Sequence, residues 1–223
     1  MRPNNCALIV KRRYGSDMDT TTIIKNHRLL DHPFYRRWED GKLVEGELAS
    51  YAAQYRFFEA QLPSFLEGLA GLLDEGTAKE LVVANLNDEI NGAETHVALF
   101  ERFATAVDAP GATPSPAMAA LVATYREALA ANDASLALGV LAGYEIQAAE
   151  VAKTKGEGLT AHYGVDETGA AFWNLHATLE EDHAAWTLEA AASLDEASFE
   201  EGVRRSSMAW WNFLDEREAL VAA

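Results

Sequence analysis

The stretch from 172 to 186, FWNLHATLEEDHAAW, carries His176, Glu180 and His183 at i, i+4 and i+7. On an α-helix these three share one face. Two imidazoles and a carboxylate on one stripe are metal donors, and leaving them unsatisfied in a core would be costly. Three further residues extend the set. Glu89 and His96 stand seven apart; on one long helix two turns bring them within about 20° of a common direction. Glu145 is a charged group inside the otherwise apolar GVLAGYEIQAAEVA. Three carboxylates and three imidazoles suit a pair of first-row metals such as iron or manganese, with carboxylates able to bridge. Zinc typically takes four ligands with few carboxylates, and magnesium does not recruit three histidines.

Taken singly, the pieces have plainer uses. Glu89 and His96 alone could be an exposed helix pair, and Glu145 alone could meet a buried arginine such as Arg56. Asp182 lies close in sequence but points about 120° away from His176 on a helix, so it is set aside. Glu180 and His183 also read as Glu-x-x-His, which ferritin-like bundles use twice. Neither Glu89 nor Glu145 has a histidine three residues on, so that fold fits poorly.

Nearly all of the chain reads as helix. From 20 to 30 the pattern predicts a short helix, and HPFYRRW (32 to 38) begins another after Pro33. Asp40-Gly41 is a turn. From 45 to 73 a long amphipathic segment places Tyr51, Tyr55, Phe58, Leu62, Phe65 and Leu69 on or near one stripe, with a kink expected at Pro63. One long helix is predicted over 77 to 107, distorted near Asn91-Gly92, then a Pro- and Gly-rich loop. A helix over 117 to 131 follows. Asn132 or Asp133 caps the next, which runs through Thr154, with Gly156, Gly158 and Gly164 in the connection. Two last helices are expected over 168 to 192 and 196 to 221. Residues 1–19 show no sustained periodicity and are expected to be a loosely ordered extension; Met18 just precedes the first periodic segment, and we expect natural translation to start there. Residues 20–223 read as a single all-α domain with a core bundle of roughly seven helices.

Composition narrows the function. Of 223 residues, 18 are Lys or Arg and 35 Asp or Glu, a net charge of −17, which argues against nucleic-acid or anionic-membrane partners. Cys6 is the single cysteine, so neither an internal disulfide nor a thiolate cluster is expected. No stretch approaches the roughly 20 apolar residues of a membrane span, and the short apolar run CALIV does not make a signal peptide. A cytoplasmic protein is expected.

The ligand pattern, Glu, His seven on, Glu, then His-x3-carboxylate-x2-His, resembles that of the haem-oxygenase-like di-metal oxidases. Within them the chain is most similar to the CADD-like group linked to folate metabolism. HPFYRRW with DGKL resembles that family's opening, and YEIQAAEVAKTKGEGLTAHYG resembles the segment with its central Glu and a lysine ten residues later. The resemblance implies a haem-oxygenase-like seven-helix bundle, usually a homodimer. It implies two metal ions, iron or iron with manganese, held by Glu89, His96, Glu145, His176, Glu180 and His183, with O2 as co-substrate and an external reductant. It also implies formation of para-aminobenzoate from one of the protein's own tyrosines, with an internal lysine as amine donor. Position assigns those roles to Tyr35 and Lys155, and Tyr144 precedes the ligand Glu145. Two departures stand out: the fifth ligand, usually Asp, is Glu180, and a tyrosine expected four residues before His176 is Phe172.

The residues agree with such chemistry. An O2-derived oxidant needs an apolar shell, which Tyr35, Tyr51, Tyr55 and Tyr144 could line, or they could simply pack. Lys155 lies about 80° around the helix from Glu145; buried, it would shed its proton more readily, whereas a solvated helix-end lysine is the plainer use. Lys153 is the solvent-facing one. Three other functions stay open: a metal oxidase acting on an external amino or fatty acid, a cofactor-free relative, and a non-enzymatic helical partner. A thiaminase-like site would need a core cysteine, and Cys6 lies in the N-terminal segment.

Overall fold

The computed structural model describes residues 20–92 and 94–220, so the expected extension, with Met18 and Cys6, lies outside the described residues. The α-helices are α1 (Thr20–Ile24), α2 (Pro33–Glu39), α3 (Glu47–Glu59), α4 (Leu62–Leu72), α5 (Thr77–Asn91), α6 (His96–Ala106), α7 (Pro116–Ala130), α8 (Ala134–His162), α9 (Ala171–Ala191) and α10 (Glu196–Ala219). Among the described residues there is no strand. Taking the broken pairs α3/α4 and α5/α6 as one each, and adding α2, recovers the seven-helix bundle expected from sequence. No described helix is long and apolar enough to cross a membrane.

The bundle is built around α8, which is apolar on all sides over its first half and buried accordingly. Its longest contacts are with α9 and α10. The α8–α10 crossing is close because both helices place glycine there. A Cβ at Gly139 would sit 2.0 Å from the Phe199 carbonyl oxygen, and one at Gly202 would sit 2.3 Å from that of Leu136. α2 is fastened across the other end of α8, where the Trp38 indole N–H donates to the Lys155 carbonyl (3.2 Å). His32 caps α2 through Nδ1, which accepts from the Phe34 N–H (3.1 Å). Its Nε2 therefore carries the proton and donates to Asp215 of α10 (3.1 Å).

Several expected boundaries moved, each for a local reason. The helix expected over 20 to 30 is α1 followed by two 3-10 turns. The segment from 45 to 73 breaks at Ala60 and Gln61, one turn before Pro63, because proline tolerates only the first turn of a helix and opens α4 instead of kinking a continuous one. The helix expected over 77 to 107 is interrupted outright. Gly92 is extended (φ −64°, ψ 177°), and α6 restarts behind Thr95, whose hydroxyl accepts from the Ala98 N–H. Conversely, α8 continues eight residues past Thr154 to His162. Gly156 and Gly158 lie inside it, under Asn174 and Trp38 respectively, and Gly164 (φ +67°) follows its end. The cap of α8 is Asp133, which accepts from the Leu136 N–H.

Candidate metal centre

Helix α9 presents His176, Glu180 and His183 inward, each buried, and leaves Asp182 exposed. Glu89 comes from the last turn of α5, His96 from the first residue of α6, and Glu145 from the middle of α8. Glu89 and His96 thus belong to two helices, not one as the spacing predicts. The turn at Gly92 still returns them to each other, with His96 Nδ1 2.9 Å from Glu89 Oε2. Arg56 is not the partner of Glu145: it lies in a two-pronged ion pair with Glu101.

The six side chains fall into two clusters. Glu89, His96 and His176 form one, and Glu145, Glu180 and His183 the other; within each, one donor atom per residue lies within 4.8 Å of the others. The surrounding groups orient them as metal-ligating side chains are usually oriented. His176 Nδ1 donates to the Phe172 carbonyl (2.7 Å), which frees Nε2. His183 places Nε2 3.2 Å from Asp88 Oδ2 and turns Nδ1 towards Glu180 Oε2 at 3.7 Å. Glu145 accepts from Asn85 Nδ2 (2.6 Å) and from the Thr187 hydroxyl.

What these groups lack is a positive charge. Glu89 Oε2 and His96 Nδ1 lie 2.9 Å apart but are not aligned for a hydrogen bond, and with Glu180 Oε2 they are buried without one; no lysine or arginine pairs with the three carboxylates among the described residues. Burial and the charge of Glu180 push the Glu145 carboxyl up to about 8. Burial holds His176 down to about 4, a neutral imidazole. Burial also opposes charge on His183, but Glu180, Glu145 and Asp88 outweigh it and push the ring up to about 10. Orphaned carboxylate and imidazole atoms, in a pocket that draws cationic charge to itself, fit a pair of metal cations.

The clusters face a narrow space of about 20 Å³, lined by Glu89, Glu145, His176 and Glu180 and walled by Tyr55, Phe58, Tyr144, Phe172 and Trp173. Glu59 also lines it. This carboxylate, with one oxygen unpartnered, escaped the sequence reading although it sits four residues after Tyr55 on the inward stripe. Burial, reinforced by Glu89 and Glu180, raises its affinity for a proton well above the usual carboxylate range. Asp88, Asn85 and Thr187 were missed as well; Asn85 and Thr187 lie one helical turn from Glu89 and His183, which is the signal that could have found them.

Lys155 is 1% exposed. Its Nζ donates to the Tyr51 hydroxyl (2.7 Å), and Tyr51 and Tyr35 share a hydrogen bond of 2.8 Å. The same nitrogen lies 3.9 Å from the centre of the Trp173 ring and 4.9 Å from those of Tyr35 and Tyr55. Burial lowers its proton affinity well below the usual lysine range, against the pull of Glu59 and Glu180. Lys153 is exposed, as expected. Tyr144 belongs to a second pair, hydrogen-bonded to Tyr55 (2.8 Å) and stacked on Trp210. Phe172 packs against the His176 ring at 4.0 Å.

Comparison with known proteins gives the family. Residues 49–212 match the family model described as iron-containing redox enzyme. The 4-aminobenzoate synthase of Nitrosomonas europaea is 32% identical, over 87% of each chain. That of Chlamydia pneumoniae is 30% identical, over 86% of this chain and 89% of its own. Among solved structures, a TenA homologue from Pseudomonas syringae superposes with a TM-score of 0.73 at 15% identity, covering 90% of this chain and 91% of that one. A CADD-like protein from Nostoc punctiforme gives 0.64 at 18% identity, covering 96% of each. At those identities the two structures speak for the fold. The chain is an oxidoreductase and belongs to the haem-oxygenase-like family of iron-containing redox enzymes.

Proposed function

We propose that the protein is an O2-dependent di-metal oxidase that forms 4-aminobenzoate from its own side chains, Tyr35 supplying the ring and Lys155 the amine. The observation that carries the reading is the buried Lys155–Tyr51–Tyr35 hydrogen-bond chain, whose amine faces Tyr55 and Trp173, two walls of the space that Glu89, Glu145, His176 and Glu180 also line; the 4-aminobenzoate synthases among the relatives support it. Glu89, His96 and His176 would hold one metal, and Glu145, Glu180 and His183 the other. Two irons, or iron with manganese, would supply the redox capacity to couple O2 reduction to side-chain oxidation, with an external reductant completing the electron count.

The chain's own groups prepare the reactants. Burial favours the neutral amine of Lys155, whose lone pair is then available as a nucleophile. Tyr51 accepts from that amine, so its own hydroxyl hydrogen is free to point at the Tyr35 oxygen, giving a proton path between amine and phenol. Burial keeps Tyr35, Tyr51, Tyr55 and Tyr144 protonated. Tyr144 and Tyr55 stand between the ligands and the lysine cluster, as a path for oxidising equivalents. The aromatic walls exclude bulk water. The space facing the clusters, about 20 Å³ and room for little more than a water-sized molecule, is compatible with an internal substrate. The family resemblance supports a homodimer, and the hydrophobic periodicity supports one helical domain over residues 20–223.

Metal content per chain after reconstitution with Fe(II) and Mn(II) tests the centre. About two metals in the wild type and a loss in His176→Ala are expected on the ligand count; a wild type that folds without binding metal would contradict the reading.

A further inference from the structure

A second cleft, of about 120 Å³, lies against the narrow space, and Phe58, Leu62 and Tyr125 line both. It opens between the α3–α4 elbow and α7, with Phe65, Val122 and Leu129 as apolar walls and Gln61, Ser64 and Arg126 at the rim. The shared wall is unequal. Phe58 is wedged against Tyr55, Tyr125 and Trp210. The Tyr125 hydroxyl is pinned by the Trp210 N–H (3.1 Å) and Ser206 (3.3 Å). Leu62, in the first turn of α4 beside the helix break, packs against the core but is only partly buried and has no side-chain hydrogen bond to hold it.

Arg126 is the unusual residue of the rim. Every other arginine among the described residues is in an ion pair with a carboxylate. Arg126 instead donates to the neutral side-chain oxygen of Gln61 (2.6 Å), in a chain that carries a net charge of −17. A carboxylate would replace that amide with a stronger, charge-assisted pair.

We propose that this cleft is the exit port for 4-aminobenzoate, with the ring between the apolar walls, the carboxylate on Arg126, and Leu62 as the gate to the inner space. The identity of the ligand rests on the reaction proposed above. Tyr55 and Trp173 wall the inner space and flank Lys155 Nζ at 4.9 and 3.9 Å from their ring centres, so product made at Lys155 lies one aromatic wall from that space; the inner space cannot retain an aromatic acid without expanding, whereas the outer cleft offers about six times the room.

The test is calorimetric titration of the full chain with 4-aminobenzoate, using aniline as the probe without a carboxylate. Arg126→Gln is expected to weaken 4-aminobenzoate binding about tenfold, Arg126→Lys to recover part of the loss, and aniline to bind equally poorly to wild type and Arg126→Gln. Equal affinity of wild type and Arg126→Gln, or aniline binding as tightly as the acid, would overturn the port. Leu62→Trp is expected to leave more product on the chain after gel filtration while the acid-quenched total stays unchanged; normal release would overturn the gate. The acid-quenched total reports the reaction separately. Product formed with binding indifferent to Arg126 overturns the port alone, whereas a wild type that forms no product overturns the reaction and the exit role with it.

Discussion

His176 holds the Phe172 carbonyl with one ring nitrogen and keeps the other free, while His183 leans on Asp88. Such partners fix ligand orientation, so Asp88→Asn is expected to keep the fold and weaken metal affinity about 10- to 100-fold, read by competition with a chelator. Unchanged affinity would remove Asp88 from the site. The lysine cluster is separable from the ligands. Tyr35→Phe and Lys155→Met are each expected to lower 4-aminobenzoate yield by at least about 100-fold, while metal content stays at the wild-type value. A Lys155→Met protein of normal yield would exclude the amine role. The shared inward face of His176, Glu180 and His183 was legible because i, i+4 and i+7 on α9 is a spacing with one geometric meaning. Glu59 was not, because one acidic residue on an aromatic stripe has the same local pattern as a solvated one, and only the packing of α3 against α6 and α7 decides its burial.

At the scale of the elements, the site depends on breaks as much as on helices. Glu89 and His96 meet because Gly92 interrupts the chain between α5 and α6; periodicity alone counted them on one helix and reached the right neighbours by the wrong route. Similarly, Gly156 and Gly158 read as punctuation, yet they lie inside α8 where Asn174 and Trp38 press on the backbone. Glycine signals a turn and a tight crossing alike, and the sequence does not say which. The α8–α10 crossing gives a direct check. Gly139→Ala forces a Cβ against the Phe199 carbonyl, which is expected to cost about 1–3 kcal/mol. For a chain of this size that lowers the melting temperature by several degrees. A melting curve that superposes on the wild type would show the crossing to be looser than described.

For the whole molecule, the all-helical bundle and the apolar stretch around Glu145 were readable from the sequence, whereas the central place of α8 and the positions of the helix ends were not. The bundle encloses carboxylates and imidazoles that want a cation, so metal ions that bind the folded chain should stabilise it. Fe(II) at about 100 times its dissociation constant contributes about 2.7 kcal/mol per site. The expected result is a melting temperature raised by about 5–10 °C per metal site and returned by a chelator. A melting temperature indifferent to Fe(II) and chelator would place the metal elsewhere. The most direct measurement is one aerobic turnover of protein made with ring-labelled tyrosine, followed by mass analysis of both the released acid and the chain. The account predicts labelled 4-aminobenzoate, at most one per chain, and a matching loss of mass at Tyr35. Unlabelled 4-aminobenzoate, or labelled product with Tyr35 intact, would contradict it.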